Sequence, residues 1–202
     1  MADSSSLAML TSCTVASTSL GNTSLEANGF CVIRGASKGI SDHMIGSLES
    51  AVRARLDKVL EKVVEVGLDP IKDNFSFSEV CKRHSGARYD VSAAGSAFGG
   101  LYDELVAAVH EAVVSVLPAS KVDRGGCVAS LPGAPGQGWH IDGQQAGLVN
   151  AFVPLVDIDE TNGTEFIPGS HDPQVEMNSP PHPSAPTFLP PFHEPTAVAK
   201  TI

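Results

Sequence analysis

The stretch Gly138-Trp139-His140-Ile141-Asp142-Gly143 sets an imidazole and a carboxylate two positions apart. A strand over residues 137–142 directs the side chains of His140 and Asp142 to one face of a sheet, where both can bind the same cation. Such a pair supplies two of the three ligands in the facial triad that holds non-haem Fe(II). The alternative is that both side chains are simply solvated. The stretch therefore predicts a metal site that needs a third ligand.

The composition of the chain narrows the classes of partner. Its 202 residues fit one domain, and a net charge of -10 with a pI near 5.0 argues against nucleic acid or an anionic membrane surface, because either needs a basic protein surface. No apolar run is long enough to cross a bilayer. A small molecule is the expected partner. The cysteines lack metal or disulfide spacing, which predicts reduced thiols and a cytoplasmic location: Cys13, Cys31, Cys81 and Cys127.

Hydrophobic periodicity predicts helices in the first half of the chain and short strands in the second. Apolar residues at three- and four-residue steps indicate helices over residues 41–66 and 100–117, and Ser41 or Asp42 can cap the first of them. This order of elements is typical of an α+β fold or a jelly roll. The predicted strands cover residues 30–33, 127–131, 137–142, 147–156 and 164–167.

Both ends of the chain differ in composition from its middle. Residues 1–24 are rich in Ser and Thr and contain no Lys or Arg, which predicts a disordered leader without targeting function. Residues 173–202 are predicted to be a proline-rich tail, because proline cannot donate in an interior strand ladder. The folded domain is therefore expected to cover residues 25–172.

Four blocks of sequence together form a recognisable set of motifs. They are residues 28–33 (Asn-Gly-Phe-Cys-Val-Ile), 139–142 (Trp-His-Ile-Asp), 152–157 (Phe-Val-Pro-Leu-Val-Asp) and 162–171 (Asn-Gly-Thr-Glu-Phe-Ile-Pro-Gly-Ser-His). These blocks resemble consecutive motifs of the phytanoyl-CoA dioxygenase family. The resemblance implies a double-stranded β-helix core, jelly-roll or cupin-like, with N-terminal helices packed on it. It also implies an Fe(II)- and 2-oxoglutarate-dependent dioxygenase that uses O2 to hydroxylate a small organic substrate.

The resemblance assigns roles to individual residues. It makes His140 and Asp142 the first two iron ligands, and the retained carboxylate implies hydroxylation rather than halogenation. Phe152 falls where the family often has a Trp beside the co-substrate, so it either contacts 2-oxoglutarate or is a core aromatic residue. His171 is expected to hold a loop by a hydrogen bond and not to bind iron.

Two groups that the family carries downstream are not found in this chain. These are a second iron-binding His and an Arg that pairs with the carboxylate of 2-oxoglutarate. No Arg follows Arg124, and the late histidines His182 and His193 lie among prolines. We take His193 as the candidate third ligand and Lys200 as an imperfect substitute for the Arg.

The chain also has too few residues after Gly126 for the full set of strands of such a roll. Between Gly126 and Ile202, outside the proline-rich segment, roughly five strands fit at the usual spacing. The roll is therefore expected to be incomplete, as in a C-terminally truncated member of the family. An open sheet edge would then take a complementing segment or a second copy. The alternative function is a non-catalytic oxygenase-like fragment that serves as a binding or interaction module.

Two other patterns in the sequence resemble functional sites. Residues 35–41 (Gly-Ala-Ser-Lys-Gly-Ile-Ser) imitate the phosphate-binding turn of short-chain dehydrogenases, but neither Tyr89 nor Tyr102 has the Lys that catalysis requires four positions on. Near Tyr89, the side chains of Arg83, His84 and Arg88 form either a pocket wall or a solvated basic patch.

Overall fold

The strands in the described part of this protein form one open antiparallel sheet, in a mixed fold of helices and strands. A computed structural model describes residues 8–16, 23–33, 39–83, 86–93, 98–118, 120–140, 148–159, 162–171 and 197–201. Within these ranges the helices are α1 (Thr23–Asn28), α2 (Asp42–Glu65) and α3 (Leu101–Val114). The strands are β1 (Ala8–Ala16), β2 (Phe30–Ile33), β3 (Val80–Lys82), β4 (Arg88–Val91), β5 (Lys121–Ser130), β6 (Leu148–Pro154) and β7 (Ala197–Thr201).

The order of strands across the sheet is β2-β7-β6-β1-β5-β4-β3. Strand β1 is central, since Thr11 pairs with Cys127 of β5 on one side and with Val153 of β6 on the other. Strands β2 and β3 lie at the two edges. The sheet therefore joins the two ends of the described chain with its middle.

Strands β1 and β7 correct two expectations. We expected residues 1–24 to be a disordered leader and residues 173–202 to be a tail, yet residues 8–16 and 197–201 are strands. The Ser and Thr that suggested disorder alternate in β1 with Leu, Cys and Val, and Thr and Val favour strands once a partner strand is present. Strand β7 begins after the last proline. The remainder of the predicted leader and tail lies outside the described residues.

Helix α2 confirms the predicted helix over residues 41–66. The hydroxyl oxygen of Ser41 accepts a hydrogen bond of 3.1 Å from the amide of Met44, which caps the helix N-terminus. Gly67, with φ of 82°, follows the last turn. The predicted stripe is buried against the sheet, and its fully buried members are Leu48, Val52, Leu56 and Val63.

Helix α3 confirms the core of the prediction over residues 100–117, although its α-helical part ends at Val114. Its buried side chains join the same hydrophobic core: Leu105, Ala108, Val109 and Val113. None of the helices in the described ranges has the length and the apolar character that crossing a membrane requires.

The pairing register gives the β3–β4–β5 part of the sheet two different faces. Lys82, Tyr89 and Ala129 lie opposite one another and are buried on the side of α2 and α3. Arg88 and Ser130 form the next row, so their side chains point to the other side. We call that side the distal face, and its residues in these strands are Cys81, Arg88, Asp90, Val128 and Ser130.

Two predicted strands are not formed. Residues 137–140 are irregular and exposed, because the stretch before them combines Pro132 and Pro135 with several glycines, which disfavour a strand ladder. Residues 164–167 are also irregular, although Phe166 is buried. Residues 141–142, and the dehydrogenase-like turn except for residues 39–41, lie outside the described residues.

A buried lysine holds the loop between α2 and β3. Lys82 is only 8% exposed, and its ammonium group donates to the carbonyl oxygens of Ile71 and Asp73. The hydroxyl of Tyr89 donates to the carbonyl of Pro70 at 3.0 Å, and burial raises the pKa of this phenol. The backbone over residues 70–73 is thus tied to the buried face of β3 and β4 through three of its carbonyl groups.

We expect Lys82→Met to lower the free energy of unfolding by about 1–3 kcal/mol, because two carbonyl groups lose their buried donor. The exposed Lys58→Met on α2 is the control and should change stability by less than about 0.5 kcal/mol. Urea unfolding followed by circular dichroism measures both. Equal stability of the two variants would contradict the role of the Lys82 ammonium group.

Candidate functional site

The loop that leads to His140 is fastened to the start of β4. The amide of Leu131 donates to the carbonyl of Ala87 at 2.8 Å, and Nη2 of Arg88 donates to the carbonyl of Pro135 at 3.2 Å. A Cβ atom on Gly86 would lie 2.4 Å from Cδ of Pro135, so this close approach requires glycine at position 86. These contacts give the glycine- and proline-rich loop a defined path.

The last described residues of this loop, Trp139 and His140, have exposed side chains. Nδ1 of His140 lies 2.7 Å from the carbonyl oxygen of Gly138. A carbonyl oxygen only accepts, so Nδ1 is the donor in this hydrogen bond. Metal-binding histidines commonly donate their second ring N–H to a backbone carbonyl in this way.

The rest of the predicted metal site is not described by the structure. Asp142 and His193 lie outside the described residues, and within the described ranges no three His, Cys, Asp or Glu side chains come together as a metal site. Residues 137–140 do not form a strand, so alternation along a strand does not place His140. The assignment of these three residues as iron ligands stays a prediction.

Phe152 lies on the distal face, in an aromatic cluster. Ser12 of β1 pairs with Gly126 of β5 on one side and with Phe152 of β6 on the other, so these three residues share one face of the sheet. Val128, two positions after Gly126 along β5, lies on the same face. The ring of Phe152 lies 6.5 Å from that of Phe166, and Phe166 stacks on Phe30 at 5.1 Å. Phe152 is only partly buried in this cluster, and its assignment as a core aromatic residue stays a prediction. A contact with 2-oxoglutarate stays a prediction.

The segment over residues 162–171 docks on the segment over residues 28–33. The amide of Gly169 donates to the carbonyl of Asn28, and Nε2 of His171 donates to the carbonyl of Glu26, both at 2.9 Å. The expected loop-holding hydrogen bond of His171 is thereby confirmed. Nδ1 of this ring is buried beside Gly29 and has no hydrogen-bond partner among the residues that the structure describes. Two blocks that are distant in sequence form one contact at the β2 edge of the sheet.

The distal face also carries a shallow cavity of about 250 Å³ above β3, β4 and β5. Nε and Nη2 of Arg83 donate to Oδ1 of Asp90 at 2.8 and 2.7 Å, so this guanidinium is neutralised by a carboxylate. The pair is partly exposed and contributes little to stability. The cavity is lined in part by Phe77, Cys81, Arg83, Asp90, Ser92 and Val128.

The basic residues near Tyr89 divide between the two faces. Tyr89 is fully buried against the helices, whereas Arg83 lines the cavity and Arg88 lies on the distal face. Burial and the charge of Arg83 lower the pKa of the Arg88 guanidinium. The pocket-wall interpretation therefore fits Arg83, and His84 lies outside the described residues. A pocket wall was one of the two interpretations from the sequence, and the polar–apolar alternation of Arg-Tyr-Asp-Val over residues 88–91 is the pattern that indicates a two-faced strand.

The chain was compared with protein-family models, with curated proteins and with solved structures, and no match was found in any of the three. The site is therefore interpreted from its own geometry.

We expect Gly29→Ala to destabilise the protein by about 2 kcal/mol or more, since φ at Gly29 is 78° and the new Cβ atom would lie 2.5 Å from Nδ1 of His171. In a His171→Ala background the same change should cost about 1 kcal/mol less, because the ring is gone. Gly46→Ala is the matched control. Gly46 lies inside α2 with open space around it, so this change should stabilise by about 0.5–1 kcal/mol. An equal cost of Gly29→Ala with and without His171 would rule out the ring contact as its cause.

Proposed function

We propose that this protein is a non-haem Fe(II)- and 2-oxoglutarate-dependent dioxygenase, similar to the phytanoyl-CoA dioxygenases, that hydroxylates a small organic substrate. The observation that carries the proposal is the hydrogen bond from Nδ1 of His140 to the carbonyl of Gly138, at 2.7 Å. Histidines that bind a metal through one ring nitrogen commonly donate from the other to a backbone carbonyl in this way.

The side chains of the proposed centre fit iron by their chemistry. Nε2 of His140 and the carboxylate of Asp142 would hold Fe(II), and His193 is the proposed third ligand. When bound, the iron supplies oxidation by O2 together with 2-oxoglutarate. The chain itself fixes the imidazole through Gly138 and fixes the loop through Arg88 and Pro135.

The contacts between distant sequence blocks support the family resemblance. The Asn28–Gly29 block and the Pro-Gly-Ser-His turn were recognised separately in the sequence, and they meet through the hydrogen bond from Gly169 to Asn28. His171 bonds to Glu26, two residues before that block. Motifs that arise by chance have no reason to meet in the folded chain. This proximity is independent of the metal ligands.

We propose that the sheet is an incomplete double-stranded β-helix of the jelly-roll or cupin type. An open antiparallel sheet with α2 and α3 on one face leaves the distal face for the active site. Strands β2 and β3 are the edges at which a complementing segment or a second copy would pair. Such pairing would complete the roll that the proposed chemistry needs to exclude water.

Oxygen-free titration of the chain with Fe(II), followed by turnover of 2-oxoglutarate to succinate in air, tests the proposal. We expect His140→Ala and Asp142→Ala each to weaken Fe(II) binding by about tenfold or more and to abolish succinate formation. His43→Ala is the matched control, because His43 is an exposed histidine at the start of α2. His193→Ala distinguishes a third ligand from a residue that does not bind iron.

A chain that binds Fe(II) equally well with and without His140, and that forms no succinate, would contradict the dioxygenase proposal. The non-catalytic oxygenase-like fragment, acting as a binding or interaction module, would then remain.

A further inference from the structure

Among the described residues, Arg88 is a charged side chain whose hydrogen-bond partners are both neutral. Its Nε donates to the hydroxyl oxygen of Ser130 at 2.9 Å, and its Nη2 donates to the carbonyl of Pro135 at 3.2 Å. Nη1 is buried and makes no hydrogen bond to any residue that the structure describes. Within the described residues no carboxylate lies within ion-pair distance of this guanidinium. Buried donors of a charged group are costly when they are left unmatched, so this site lacks an acceptor.

The neighbouring residues leave one uncompensated positive charge. Arg83 is close enough for its charge to act on Arg88, but Asp90 already neutralises Arg83. The hydroxyl of Ser130 accepts from Arg88, so its own proton can be donated to another acceptor. A single positive charge with donors from a guanidinium and a hydroxyl matches the carboxylate of a monoanion better than a doubly charged phosphate.

There is also room for the remainder of such a ligand. The distal face continues from Arg88 to Asp90, two positions along β4, where the cavity of about 250 Å³ begins. Its walls near this point combine the Arg83–Asp90 ion pair with the apolar side chain of Val128. A short carbon chain fits this mixture of surfaces.

We propose that Arg88 and Ser130 bind the carboxylate of a small organic acid on the distal face, with the carbon body of the acid directed into the cavity beside Arg83. The carboxylate takes the place of the Pro135 carbonyl as the acceptor for Nη2 of Arg88. It also accepts from Nη1 of Arg88, which lies beneath the loop. The loop around Pro135 therefore shifts when the acid binds. Arg88 is a binding residue in this arrangement.

The inference goes beyond the dioxygenase proposal, because it requires no metal ion. The binding experiment is done on the full chain in EDTA, so a failure of iron binding does not affect its result. The probes are butyrate, 2-oxoglutarate and inorganic phosphate, titrated at low ionic strength and followed by ligand-observed NMR. Comparing the two acids shows whether the site prefers a monocarboxylate or a ligand with a second carboxylate.

We expect millimolar binding of at least one of the two acids and weaker binding of phosphate. Arg88→Gln should weaken binding of the acid by about tenfold or more, and Ser130→Ala should weaken it by a smaller factor. Arg53→Gln is the matched control, since Arg53 is an exposed arginine on α2 that pairs with Glu49. It should leave the affinity unchanged.

A second readout separates binding from a purely structural role of Arg88. The acid should raise the thermal midpoint of the wild-type chain, and this rise should disappear in Arg88→Gln whatever the midpoint of that variant without ligand. If Arg88→Gln does not fold, Arg88→Lys keeps the charge without the planar fork and should still lose most of the affinity. Unchanged affinity in either folded variant, no binding of either acid, or tighter binding of phosphate than of both acids overturns the proposal.

Discussion

The antiparallel register between β3, β4 and β5 is the constraint on which the rest of the structure depends. Because side chains alternate along each strand, pairing Tyr89 with Lys82 and Ala129 buries this row under α2 and α3. The same register turns Arg88 and Ser130 to the distal face. A shift by one residue would bury the Arg88 guanidinium in the apolar core and expose Tyr89. The hydrophobic core and the candidate site are thus two results of one pairing.

The parts of the fold that could be predicted are those encoded by local pattern. The periodic apolar residues of α2, with Ser41 before them, specify a helix whatever it packs against, and the β-forming residues of β2 and β6 behave similarly. Strand β1 could not be predicted, because its residues become a strand only through pairing with β5 and β6, far along the chain. The predicted strand at residues 137–140 was wrong for the opposite reason. A motif suggested a strand there, but the glycines and prolines in this stretch favour a loop.

The candidate site likewise combines features that could be predicted from the sequence with features that could not. The types of residue at His140 and Asp142 are visible in the sequence, but the hydrogen bond from His140 to Gly138 depends on the path of the loop. The alternation that turns Arg88 outward can be seen in the sequence. The partners of Arg88 are a hydroxyl and a carbonyl rather than a carboxylate. This choice of partners depends on strand pairing and on the position of Pro135, which the sequence does not show. The contact of Gly29 with His171 likewise joins residues that no local pattern connects.

The central place of β1 has a bearing on how the chain is made. The first described strand to leave the ribosome pairs with β5 and β6, which are synthesised much later. During that interval its backbone donors and acceptors are satisfied only by water or by other molecules, and long-range pairing of this kind is slow. A nascent chain with this topology is a natural client for chaperones. A purification tag fused ahead of Ala8 would sit only a few residues from the middle of the sheet.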